Sequence, residues 1–203
     1  LYALKSHGFR DITICIQRPD NEVREEVLDC NYVRIRSGKE GEARMMVVEH
    51  DGTTRPLSEL IGEADIIFNG TFQDTEHPID FVTEDEGTSL KPNSLIIDVS
   101  CDEGMGFFFA KPTTFKNPMF KYESIDYYAV DHTPSYFWES ATRSISAALI
   151  VYLPTVLAGP VSWQKNETIR RAINIDGGVI QNLSILSFQD RQPTYPHGVI
   201  SDG

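Results

Sequence analysis

Short apolar, β-branched runs alternate along this chain with segments spaced like amphipathic helices, and that alternation constrains the fold more than any other feature. The strongest run is Ser94–Val99 (SLIIDV). Asp65–Asn69 (DIIFN), Asp11–Ile16 (DITICI) and Tyr127–Val130 (YYAV) read the same way, and Tyr32–Ile35 and Met45–Glu49 are weaker versions. Leu1–Phe9 reads as the last turns of a helix stopped by Gly8, and Pro19 opens a helix through Glu22–Leu28. Further helices are expected over Pro56–Glu63, around Pro78–Val82, from Ser135 to about Leu157, and over Asn166–Ile173. The tail from Gln181 is irregular, with a weak helical signal at Leu183–Phe188. Strands separated by helices imply an α/β fold, a parallel sheet with covering helices and right-handed crossovers.

The bulk properties exclude several classes. With 203 residues and 40% hydrophobic content the chain can bury a core. A net charge of −12 speaks against nucleic acid, which calls for clustered Lys and Arg. The longest apolar stretch, Ile145–Leu157, carries Pro154 and is short for a membrane span, so it reads as a buried helix. The three cysteines make neither a Cys-x-x-Cys pair nor a metal spacing, and they fit a reducing compartment. His7, His50, His77 and His197 have no partner spacing and are expected at the surface.

In an open parallel sheet, ligands bind beyond the carboxyl ends of the strands. That rule selects 16–18, 69–72, 100–102 and 131–135. The glycine fingerprint of dinucleotide-binding units, which lies between first strand and first helix, is absent. Because the chain opens inside what reads as that helix, the expectation is a fragment whose glycine turn lies upstream of Leu1. After the DITICI run, Gln17 and Arg18 stand where NAD enzymes carry a carboxylate for the ribose 2′-hydroxyl. A missing carboxylate beside an Arg suits the 2′-phosphate of NADPH; a solvated loop charge is the plainer alternative for Arg18. Asn69, Gly70 and Thr71 offer polar contacts and a close backbone approach, or simply a turn.

Asp98–Gly106 (DVSCDEGMG) carries the most chemistry. Asp98 lies within its strand, where bonds to loop amides are the favoured role. Asp102 falls just past the strand end, where a carboxylate can hold an amine or iminium, or move a proton if burial raises its pKa. Gly104 and Gly106 permit a tight loop beside a flat ring. Asp131–Ser135 (DHTPS) opens the long helix, with Thr133 as N-cap and His132 either a proton carrier or incidental. No G-x-S-x-G, P-loop or EF-hand spacing occurs, and no metal site is expected.

The run Ile97–Gly104 (IDVSCDEG), followed by Lys111-Pro112-Thr113-Thr114 and Asn117-Pro118-Met119-Phe120, resembles the alanine dehydrogenase family. That family has an aspartate–valine strand, an acidic-plus-glycine loop, then R-P-T-T and D-P-V-F segments. Ala64–Gly70 and Tyr128-Ala129-Val130 with the Pro134 helix start match its neighbouring strands, so the likeness runs from Leu1 to about Leu157. The closer resemblance is to N5-(carboxyethyl)ornithine synthase and its relatives, which couple pyruvate to an amino group of ornithine or lysine and reduce the imine with NADPH. Ile16-Gln17-Arg18 in place of an acidic residue, and His132-Thr133-Pro134-Ser135 in place of Asn-Met-Pro-Gly, are the departures that point there.

The resemblance implies a Rossmann-like parallel sheet flanked by helices. Residues 1–134 would be part of an NAD(P)-binding domain, and 135–203 helices and tail that pack on a substrate domain outside this chain. It implies Asp102 as the catalytic aspartate, Phe72 and Gln73 in a cofactor-lining loop, Val99 and Ser100 on the nicotinamide side, and Val130 with Thr133 closing it. His132 would face substrate. The expected activity is NADPH-dependent reductive condensation of a 2-oxo acid with an amino-acid amine, in a cytoplasmic homo-oligomer. The alternatives are NAD-dependent oxidative deamination of alanine and a non-catalytic nucleotide-binding fragment.

Overall fold

The computed structural model describes residues 2–17, 29–38, 44–49, 51–72 and 78–200. The helix expected over Glu22–Leu28, and the positions Arg18 and Gln73, lie outside them. The chain divides into two compact units, Leu1–His132 and Thr133–Gly203.

The first unit opens with α1 (Tyr2–Ser6), after which Gly8 turns the chain at φ 92°. β1 (Thr13–Ile16) pairs in parallel with β2 (Asn31–Ser37). The antiparallel strands β3 (Met45–Val48) and β4 (Thr54–Pro56) complete this sheet, in the order β1-β2-β3-β4. α2 (Leu57–Ile61) leads to β5 (Ile66–Asn69), the first strand of a second sheet. There β5 pairs in parallel with β7 (Leu95–Asp98), and β7 with β10 (Ile125–Tyr128). The edge strand β9 (Met119–Tyr122) joins β10 antiparallel. Parallel pairing at the centre with antiparallel edges is common in open α/β sheets.

The expectation of a helix around Pro78–Val82 is overturned. β6 (Asp80–Val82) is a strand that pairs in parallel with β8 (Gly106–Phe107). Its short apolar spacing fits either period, and burial decides: Phe81 and Val82 enter the core, where Phe81 meets Phe107 edge-on at 5.8 Å. A 3₁₀ turn over Glu84–Ser89 follows, with the Thr83 amide donating to Glu86 Oε2 at 3.2 Å. The core gathers Met45, Val47, Leu57, Val82, Ile96, Phe107 and Tyr127; β7 and β10 bury alternate residues and leave the others half-buried.

In the second unit a 3₁₀ turn (Thr133–Phe137) precedes α3 (Trp138–Leu149). Phe137 occupies the N-cap of α3 at φ −121° with no side-chain cap, so Thr133 is not the cap that its sequence position suggested. A further 3₁₀ turn (Ile150–Tyr152) and α4 (Leu153–Leu157) extend the run; Pro154, in the first turn of α4, needs no helical donor there. The stretch Ile145–Leu157, within the helical run Thr133–Leu157, was expected to be buried. Instead Ile145, Leu149, Ile150, Leu153 and Leu157 are exposed, because nothing in the described residues covers them. By length and composition alone, this run is apolar enough to cross a membrane.

α5 (Pro160–Lys165) and α6 (Glu167–Ala172) follow, with Asn166 Oδ1 capping α6 by accepting from Ile169 N at 3.1 Å. β11 (Ile175–Asp176) and β12 (Val179–Ile180) form a hairpin before α7 (Leu183–Phe188). His197 corrects another expectation: it is buried, accepts from the Ile180 amide at Nε2 (3.1 Å) and sets Nδ1 against the Gln192 carbonyl (3.1 Å).

Candidate active site

Three parallel strands, β5, β7 and β10, end side by side, and their carboxyl ends carry Asn69, Asp98 and Tyr128. Asp98 is 1% exposed. Its Oδ1 accepts from Asn69 Nδ2 (2.9 Å) and from the amides of Ser100 (3.0 Å) and Cys101 (3.1 Å). Its Oδ2 accepts from the hydroxyl of Tyr127, which is wholly buried. A carboxylate out of water needs such donors, and here each oxygen has one or more. Burial first, then the bond to Asp98, pushes the Tyr127 hydroxyl far up, so it remains a donor.

The chain turns sharply after Val99, with Cys101 in the left-handed region at φ 48°. That turn sets Asp102, half-buried, just beyond the sheet. Its carboxyl is raised above the usual aspartate range, mainly by burial and further by the charges of Asp98 and Asp131. Burial, then the charges of Asp131, Asp98 and Asp102, push the Cys101 thiol up, which makes it a poor nucleophile.

The loop after β5 faces outward. A Cβ on Gly70 would meet nothing within 4 Å, and Phe72 is 96% exposed. Val99 is exposed and Ser100 half-buried; Ser100 Oγ donates to the Thr71 carbonyl at 2.5 Å and ties the two loops together. Gln17, at the end of β1, is exposed and directs Nε2 to the Met45 sulfur at 3.7 Å. Val130 is buried, so it packs beneath the surface rather than on it. His132 is exposed at φ 60°, with Nε2 3.2 Å from Asp131 Oδ2. Thr133 opens the second unit and is half-buried.

The loops therefore bring together Gly70, Thr71, Val99, Ser100 and Asp102. Asn69 turns inward, its Oδ1 accepting from Thr71 N at 3.1 Å and its Nδ2 held by Asp98. Gly106 also departs from expectation: it is buried at φ +77°, and a Cβ there would meet the Phe81 ring at 3.0 Å, so its role is packing. In the sequence Tyr127 reads only as part of a strand, and Asp131 has no role of its own beside His132. The signal for Tyr127 was present, since a hydroxyl inside an apolar strand needs a partner.

Parallel strands whose end loops leave an open polar edge define a Rossmann-like α/β domain. Residues 20–182 match the model "Alanine dehydrogenase/PNT, C-terminal domain", and the chain belongs to that family. Alanine dehydrogenase 1 of Staphylococcus aureus strain NCTC 8325 is 24% identical over 166 residues, 81% of this chain and 45% of the relative. The same enzyme of strain Mu50 matches to the same extent. Among solved structures an L-alanine dehydrogenase superposes with a TM-score of 0.57 at 12% identity, over 87% of this chain and 45% of that one, a likeness of fold. The chain spans about half the length of the curated relatives it matches.

Proposed function

We propose that this domain serves an NADPH-dependent enzyme that condenses a 2-oxo acid such as pyruvate with the amine of an amino acid and reduces the resulting imine, in the manner of N5-(carboxyethyl)ornithine synthase. The observation that carries the reading is Asp102: an acid with a raised pKa at the carboxyl end of the central strand, beside an open loop edge. The open space over Gly70 and the exposed Val99 leave room for a flat ring and its ribose against 70–72 and 99–100. The cofactor supplies the hydride when bound. Asp102 holds the amine or the cationic imine next to it by charge, and its raised pKa suits it to keep or pass a proton at Oδ. Ser100 and Thr71 orient, and Val99 keeps water from one face. His132, exposed beside Asp131, is assigned to the substrate side.

NADPH rather than NADH is inferred from Gln17-Arg18, where a carboxylate for the 2′-hydroxyl is missing. Gln73 completes the cofactor loop in this reading. The names of the relatives favour a second possibility, oxidation of alanine with NAD. A cytoplasmic homo-oligomer belongs to the same proposal, and the exposed apolar residues of α3 and α4 would pack on a substrate domain outside this chain.

The test is nicotinamide oxidation with pyruvate and either ornithine, lysine or ammonia. The proposal expects NADPH and an amino-acid amine to be preferred. Ammonia with NADH as the preferred pair would establish the alanine dehydrogenase reading. Asp102→Asn is expected to lower turnover by about 10²–10⁴-fold.

A further inference from the structure

We propose that Asp98 is the positioning residue of this site: one buried carboxylate clasps three strands and fixes both ligand-facing loops at once, with its charge beside Asp102. The inference rests on the role given to Asp102 above and deepens it.

Each of the three strands contributes a member. Asn69 closes β5, Asp98 closes β7 and Tyr127 lies in β10, and all three side chains are buried. Asn69 acts as a relay, giving Nδ2 to Asp98 and taking the Thr71 amide on Oδ1. From the other side, Asp98 takes the Ser100 and Cys101 amides, and Ser100 Oγ returns to the Thr71 carbonyl. The bonds form a closed ring, so 69–71 and 98–101 cannot shift independently. The ring also sustains Cys101 at φ 48°, a conformation that non-glycine residues adopt only under local constraint. Asp102 is the next residue, so the clasp sets its backbone directly. An Asn at 98 could satisfy the amides but would carry no charge. The carboxylate acts on Asp102 together with Asp131, while the Cys101 thiol and the Tyr127 hydroxyl face the same group.

The test uses this chain with ¹³C-labelled aspartate. The Asp102 carboxyl resonance, assigned with Asp102→Asn, is followed against pH, and amide hydrogen exchange is read at Thr71, Ser100 and Cys101. In Asp98→Asn the Asp102 midpoint is expected to fall, and exchange at the three amides to rise about tenfold, because bonds to a neutral amide oxygen are weaker than the charge-assisted bonds to a carboxylate that they replace. Tyr127→Phe leaves the charge in place; it is expected to raise loop exchange while the amides of β7 stay protected. An unchanged midpoint with unchanged exchange in folded Asp98→Asn overturns the proposal. If that variant does not fold, Tyr127→Phe decides: loop exchange equal to the parent overturns it. Failure of the Asp102 reading is seen separately, as unchanged turnover in Asp102→Asn.

Discussion

At the scale of single residues, Asp102 works against its own charge. Burial and the carboxylates of Asp98 and Asp131 raise its pKa, so it ionises at higher pH than an ordinary aspartate. Activity that needs the ionised form therefore fails as pH drops through this raised midpoint. Asp131→Asn is expected to move the acid limb of kcat/KM to lower pH, and a pH–rate profile reads it. The stability sign is the reverse. A carboxyl raised in the folded state favours the protonated fold, so its contribution is full below the unfolded pKa and lost as pH rises through the folded one. Tyr127→Phe leaves Asp98 Oδ2 buried without a donor and is expected to cost about 1–3 kcal/mol in urea unfolding. The acid at 98, with its bonds to loop amides, and the placement of 102 past the strand end were both legible in the sequence. Asn69 was not: a polar side chain at a strand end reads as ligand-facing, and only the fold reveals that its partner is a carboxylate 29 residues away.

At the scale of elements, long periodic or strongly apolar segments were readable because local pattern and tertiary burial agree. β5, β7, α6 and α7 lie where alternation and turn residues place them. β6 and β8 were not readable, since each is stabilised by the other across 24 residues or more of chain and by packing on Phe107. β9 escaped because its burial alternates weakly at a sheet edge. Two substitutions check the elements. A Cβ on Gly62 would lie 2.3 Å from the Ser89 carbonyl and 2.8 Å from that of Ser58, so Gly62→Ala is expected to destabilise by about 1–3 kcal/mol through overpacking after α2. Asn166→Ala removes the cap of α6 and is expected to cost about 0.5–2 kcal/mol, read by thermal unfolding.

At the scale of the whole molecule, the α/β alternation was enough to reach the fold class, and four ordered motifs were enough to reach the family. The exposure of α3 and α4 was beyond sequence reasoning, because an apolar run states that it is covered but not by what. The loops at 69–72 and 99–102 are the face proposed to meet the nicotinamide nucleotide. The most direct test is titration of the isotopically labelled chain with NADPH and, separately, NADH, followed by amide chemical shifts. Shifts are expected to concentrate at Gly70, Thr71, Phe72, Val99, Ser100 and Asp102, at lower NADPH than NADH. Shifts absent from those loops, or centred elsewhere, would contradict that placement.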